Sequence, residues 1–196
     1  MEKHQNQLIF ATNNVHKAAE IGLMVSDFDV VTMRDAGIIE DIPETADTLE
    51  GNALIKARHI YQMTGADCFA DDTGLEVNAL AGRPGVLSAR YAGPENDAEK
   101  NMAKLLSEMH GQTNRSARFR TVIALILGGK EYLFEGIAEG TILIEKSGEG
   151  GFGYDPIFYS TEAGKSFASM LPAEKNVISH RGKAVASLIL FLNQSA

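Results

Sequence analysis

Two β-rich runs, Ala117 to Leu127 and Tyr132 to Ile137, flank the dipeptide Gly128-Gly129, and this pattern restricts the fold more than any other stretch of the chain. Paired glycines supply the left-handed backbone of a tight turn, so the runs are expected to form a long antiparallel hairpin, with Thr141 to Ile144 adding a third strand. Upstream, Leu8 to Thr12 is a short apolar run that ends in Asn13-Asn14 and leads into helix formers from Lys17 to Ile21, a strand, turn and helix. A longer helix is predicted from Thr48, its N-cap, to a Gly65 stop, with Leu49, Ala53, Leu54, Ala57, Ile60 and Tyr61 on one face. Cys68 to Ala70 reads as a buried strand entering Asp71-Asp72-Thr73-Gly74, followed by Leu75-Glu76-Val77. Another helix fits Ala98 to His110, capped by Asn96 or Asp97 and ended by Gly111. After a glycine-rich loop, Gly148 to Tyr154, the chain finishes with a helix from Gly182 or Lys183 to Asn193, whose apolar stripe is Val185, Leu188, Ile189 and Leu192. The class is therefore α/β in the mixed α+β sense. With 196 residues, no internal repeat and no Pro-rich or Ser-rich linker, a single continuous domain over 1–196 is expected.

Composition narrows the partners. The chain carries 18 Lys plus Arg against 26 Asp plus Glu, a net charge of −8, so its overall field repels nucleic acid, and an anionic ligand needs a local cluster to hold it. One cysteine, Cys68, cannot form an intramolecular disulfide, and the polar stretch Met1 to Gln7 lacks the cationic start and apolar core of a secretory signal. A reduced cytoplasm is the expected setting. The longest apolar run, Val122 to Leu127, is far below the ~20 residues that span a bilayer, so no membrane segment is expected.

Four motifs can carry chemistry. Thr12-Asn13-Asn14-Val15-His16-Lys17 lies between a strand and a helix, where unpaired backbone N–H groups favour an anion and Lys17 adds a charge; an ordinary N-cap with a solvated Lys17 reads the same residues. It is not a P-loop, because the glycines and the Lys-Ser/Thr pair are missing. In Asp71-Asp72-Thr73-Gly74, consecutive strand residues point to opposite faces, so one acid can face a metal while the other orients a neighbour. Hard oxygen donors without His or Cys suit Mg²⁺, with Glu44 and Glu50 as possible partners; alternatively the acids bind their own turn amides. In Gly150 to Pro156, glycines let the backbone close on a flat ligand, Phe152 and Tyr154 offer ring faces, and Asp155, extended before Pro156, keeps its carboxylate free for N–H donors of a base. The other reading is a surface loop anchored by one core Phe. Ser179-His180-Arg181-Gly182 can bind a purine edge or a phosphate, or else Ser179 caps the last helix and Arg181 is exposed.

Six stretches, Ala11 to Lys17, Glu50 to Ala57, Ala70 to Leu75, Pro84 to Tyr91, Gly151 to Pro156 and Glu174 to Gly182, occur in the order that resembles the inosine/xanthosine triphosphate pyrophosphatase family, also called noncanonical purine NTP pyrophosphatases or Ham1-like proteins. The resemblance runs from Leu8 to about Leu190. It implies an elongated mixed sheet flanked by helices, two lobes with a cleft between them, and a homodimer. The implied reaction is Mg²⁺-dependent cleavage of the α–β phosphoanhydride of ITP, dITP and XTP. Asp72 matches the base that activates water, Glu44 shares the metal, and Asp71 and Glu50 are further metal candidates. Thr12 to Lys17 match phosphate binders together with Lys56, Thr73 and Lys175, while Phe152, Gly153, Tyr154, Asp155, His180 and Arg181 match the base pocket. Gly51 departs from the family pattern, standing where relatives often carry a second acid.

The chemistry agrees with that match, since phosphoanhydride hydrolysis needs charge neutralised on several oxygens and a water held in line. Two other classes compete. A nucleotide-binding module would sense the triphosphate without turnover, and a Maf-like enzyme would act on modified pyrimidine triphosphates.

Overall fold

The structure, a computed structural model, describes residues 7–25 and 28–195; the stretch before Gln7 read above for a signal lies outside the described residues. The chain forms two compact units. The first comprises Met1–Asp72, Val122–Glu135 and Ala184–Ala196, and the second comprises Thr73–Thr121 and Gly136–Lys183.

In the first unit, β1 (Leu8–Phe10) leads to α1 (Val15–Gly22), β2 (Val30–Thr32), α2 (Leu49–Thr64) and the opening half of β3 (Cys68–Val77). β1 pairs in parallel with β2, in the register Leu8 to Val30, and with β3, in the register Phe10 to Phe69. Side chains alternate along the strands between two buried clusters. Leu8, Phe10, Phe69, Ile123 and Leu125 join Ile21 of α1 and Val185 and Leu188, whereas Ile9, Ala11, Cys68, Ala70, Ala124 and Ile126 join Ala53, Ala57 and Ile60 of α2. Both faces are covered, which explains why these strands read as near-continuous apolar runs. α2 has the expected ends: Thr48 Oγ1 accepts the Gly51 N–H at 3.1 Å, and Gly65 takes the left-handed conformation with φ +65°.

The second unit holds the remainder of β3, β4 (Pro84–Gly85), α3 (Ala98–Glu108), parts of β5 (Ser116–Leu127) and β6 (Lys130–Ile142), β7 (Phe158–Ser160), β8 (Lys165–Ser166) and α4 (Pro172–Ile178). Its core gathers Leu75, Val77, Met102, Leu105, Phe119, Ile157, Phe158 and Phe167. β6, β7 and β8 are antiparallel, and the strands hydrogen-bond in the order β2-β1-β3-β5-β6-β7-β8, with β4 on β3. Gly128 and Gly129 have φ of +55° and +76°, the left-handed pair that joins β5 to β6 as expected. No described helix is long and apolar enough to cross a membrane.

Three elements differ from the sequence expectation. β3 runs straight through Asp71 to Gly74 without a turn, because Gly74 serves a close strand approach: a Cβ there would meet the Gly85 carbonyl oxygen at 2.7 Å. Thr141 and Ile142 continue β6 and do not start a third strand, and Gly140 within it makes room for the Phe158 ring. The last helix, α5 (His180–Ser195), begins at His180, so Gly182 lies inside its first turn, where a side chain would strike the Asn176 carbonyl; the short α4 precedes it.

Cys68 is fully buried in β3, and burial, with the Asp67 charge adding to it, pushes its thiol up to about 12 from an ordinary 9.0. Two outcomes are expected. The native thiol resists iodoacetamide at pH 8, whereas the unfolded chain reacts. Because the unfolded thiol ionises first, the Cys68 contribution to stability is complete below about pH 9 and is lost as pH rises toward 12; a Cys68→Ala variant followed by thermal melts from pH 8 to 11 should show a shallower alkaline decline.

Candidate active site

The segment between β1 and α1 folds as a self-satisfied cap. Asn14 Oδ1 accepts the N–H groups of His16 and Lys17 at 3.0 and 3.2 Å, and Thr12 Oγ1 accepts the Asn14 N–H at 3.1 Å. Asn13 donates to the Asp41 carboxylate at 3.0 Å. Thr12, Asn13, Asn14 and Val15 line a cavity of about 290 Å³ with Arg34 and Asp41. Val15 and His16 are exposed. Lys17 is not a solvated lysine: its ammonium lies 3.1 Å from the buried Asp71 carboxylate.

The extended conformation of β3 sends its two acids to different partners. Asp71 meets Lys17, whereas Asp72 accepts from Asn52 Nδ2 at 3.1 Å and lies 3.6 Å from Lys56 Nζ. Lys56 also contacts Glu44 at 2.6 Å, so one ammonium holds two carboxylates. Burial raises the Asp72 carboxyl above its usual range and the Glu44 charge adds to this, while Lys56, Lys17 and the Asn52 hydrogen bond oppose it. Burial alone would lower Lys56, but the Asp72, Glu44 and Asp71 charges outweigh it, and its pKa is raised. Glu50 lies in the first turn of α2.

Among the described residues no group of three or more His, Cys, Asp or Glu is gathered as a cage for a metal ion. Glu44 and Asp72, two hard oxygen donors already drawn to one cation, nevertheless fit a Mg²⁺ ion that takes the rest of its shell from water and phosphate.

In the second unit the glycine loop closes on its own acid. Asp155 begins a short turn of 3₁₀ helix, and its carboxylate accepts the Phe152 N–H at 2.8 Å and the Lys175 ammonium at 2.6 Å. The carboxylate is thus buried and engaged, not extended and free, because Lys175 of α4 supplies a full charge that Pro156 geometry alone does not reveal. Gly151, with φ +74°, gives it room: a Cβ there would lie 2.8 Å from Asp155 Cβ. Gly153 is likewise left-handed, with φ +62°. Lys175 Nζ stands 4.7 Å from the centre of the Phe152 ring and the Arg181 guanidinium 5.7 Å from it, so two cations contact one aromatic ring.

Arg181 is 2% exposed, which excludes the solvated arginine of the simple capping reading, although Ser179 does cap, accepting the Gly182 N–H at 3.0 Å. Arg181 donates to Thr73 Oγ1 at 3.2 Å, and Thr73 shares a 2.7 Å hydrogen bond with the buried Thr121. His180 stacks on Phe119, the ring centres 4.5 Å apart. Tyr154 offers no open ring face; it packs in the core, and its hydroxyl donates to the Ser88 carbonyl at 2.8 Å. Tyr154→Phe should therefore cost about 0.5–1.5 kcal/mol in denaturant melts and leave catalysis within twofold.

Sequence reasoning missed Arg34, Thr121 and above all Asn52. Asn52 and Lys56 are one turn apart on the side of α2 that carries Leu49, Ala53 and Ile60, and all five are buried. Two polar residues in an otherwise apolar helical stripe were the available signal.

The parallel β2-β1-β3 arrangement, with polar side chains where β1 gives way to its loop, defines an α/β protein of the open-sheet class, in which ligands bind beyond the carboxyl ends of strands. The chain belongs to the Ham1 family, whose model matches residues 8–191. It is 54% identical over 184 residues to a dITP/XTP pyrophosphatase of Flavobacterium johnsoniae, covering 93% of this chain and 96% of that one. A dITP/XTP pyrophosphatase of Porphyromonas gingivalis is 53% identical over 188 residues, covering 95% and 97%. The solved Staphylococcus aureus Ham1 protein superposes with a TM-score of 0.89 at 37% identity, covering 97% of this chain and all of that one.

Proposed function

We propose that this chain hydrolyses the α–β phosphoanhydride of noncanonical purine nucleoside triphosphates, dITP, ITP and XTP, to the monophosphate and pyrophosphate, and so clears them from the cytoplasmic nucleotide pool. The observation that carries this reading is identity above 50% over more than nine-tenths of the chain to proteins named dITP/XTP pyrophosphatase.

The residues divide by chemistry. In the first unit Thr12 to Lys17 and Lys56 take the phosphates; in the second Thr73 and Lys175 assist, and Phe152, Gly153, Asp155, His180 and Arg181 form or support the base site. Glu44 and Asp72 hold Mg²⁺, with Asp71 and Glu50 close in sequence. When bound, the ion neutralises phosphate oxygens and lowers the cost of charge in the transition state. Asp72 takes a proton from the attacking water, the water oxygen bonds to the α-phosphorus, and pyrophosphate departs. Hypoxanthine and xanthine present an acceptor at O6 where adenine has an amino donor, and an N–H of Arg181 favours the acceptor, a preference of about ten- to two-hundred-fold. Two copies form a homodimer, with the half-exposed Leu87 a candidate contact.

Pyrophosphate release from dITP, XTP, dATP and dTTP with MgCl₂, and with EDTA as control, tests the reading. Release from dITP and XTP at least tenfold above dATP supports it. Preference for dTTP favours a pyrimidine enzyme, and tight dITP binding without release favours a sensor.

A further inference from the structure

Asn52 is completely buried, and its amide is engaged at both ends: Nδ2 donates to Asp72 Oδ2 at 3.1 Å, and Oδ1 accepts the Ala46 N–H at 2.9 Å. An ionised carboxylate can only accept and a backbone N–H can only donate, so the amide has one possible orientation. Ala46 is two residues beyond Glu44. One side chain therefore ties the strand bearing the first acid to the segment bearing the second, while Lys56, one turn further along α2, touches both carboxylates.

Gly51 completes the device. A Cβ at that position would lie 2.5 Å from Ala46 Cβ and 3.1 Å from Thr48 Oγ1, so the absence of a side chain is what lets Ala46 come within reach of Asn52. This gives a physical reason for glycine at the position where the family resemblance led to expecting an acid.

We propose that Asn52 is a positioning residue which, with Gly51, sets how the Glu44 and Asp72 carboxylates stand relative to each other, and thereby sets the affinity for the divalent cation they share. The proposal rests on the reading of Glu44 and Asp72 as the metal pair. Hydrogen bonds that orient ligating carboxylates typically govern metal affinity by about 10–100-fold.

The test is Mn²⁺ titration followed by electron paramagnetic resonance, with saturating α,β-methylene dITP, which binds but is not cleaved. Asn52→Leu, close in volume but unable to hydrogen-bond, should weaken Mn²⁺ binding at least tenfold. Gly51→Ala should weaken it in the same direction by a smaller factor, although Asn52 itself is intact. In pyrophosphate release the Mg²⁺ concentration for half-activation should rise in parallel, while KM for dITP at saturating Mg²⁺ changes by less than about threefold. A role confined to helix stability would lower the melting temperature and leave Mn²⁺ affinity alone. Folded variants that bind Mn²⁺ within twofold of the wild type overturn the proposal; if Asn52→Leu does not fold, Gly51→Ala decides by itself. A wild-type protein that binds no Mn²⁺ would instead sink the metal-pair reading, and this inference with it.

Discussion

Replacing Asp72 by asparagine is expected to lower pyrophosphate release from dITP by about 10²–10⁴-fold while dITP binding, followed by calorimetry, remains measurable. Asparagine keeps the shape of the side chain and an oxygen that can accept from Asn52 Nδ2, so the local geometry of α2 and β3 survives. What disappears is a carboxylate that can take a proton and share a divalent cation. Stability moves the other way. Burial already disfavours the ionised Asp72, and Lys56 keeps its 2.6 Å contact with Glu44 after the change, so no buried cation is orphaned. The melting temperature should equal or exceed that of the wild type. Loss of activity with retained or increased stability separates a catalytic defect from unfolding, and normal turnover in this variant would remove Asp72 from the mechanism.

The parts of the fold legible in the sequence are those whose cause is local. Thr48 and Gly65 bound α2 because a hydroxyl and a left-handed glycine satisfy helix ends without help from distant residues. The hairpin at Gly128-Gly129 is of the same kind. Asp71 and Asp72 were separable from the pleat alone, and they do face different lysines. The alternative of a turn at Asp71 to Gly74 fails because the reason for that glycine lies in Gly85, which is brought up by β4 pairing and is invisible to a local pattern. Asn52 was hidden for a related reason: it lies on the side of α2 read as apolar, but its partners, Asp72 and the Ala46 N–H, are brought to it only by the fold. Asp155 was misread as a free acceptor because its partner, Lys175, lies 20 residues away on a seven-residue helix that starts at a proline and has too little periodicity to announce itself.

That pair supplies the largest stability effect. Lys175 and Asp155 side chains are 6% and 4% exposed with their charges 2.6 Å apart, so Lys175→Met takes the ammonium away from a buried carboxylate, at a cost of about 3–5 kcal/mol. For a chain of this length the loss corresponds to roughly 6–20 °C in melting temperature. The Asp155 carboxylate also holds the Phe152 N–H, and the Lys175 ammonium lies over the Phe152 ring, so the same change loosens the aromatic platform and should raise KM for dITP about tenfold or more. Adding Asp155→Asn to Lys175→Met removes the buried negative charge while keeping an oxygen for the Phe152 N–H, and most of the lost thermal stability should return although KM stays high. Such non-additivity is expected of groups in direct contact. A fall of less than about 2 °C in the single variant would mean that water reaches Asp155 and that the pair is not the anchor of the glycine loop.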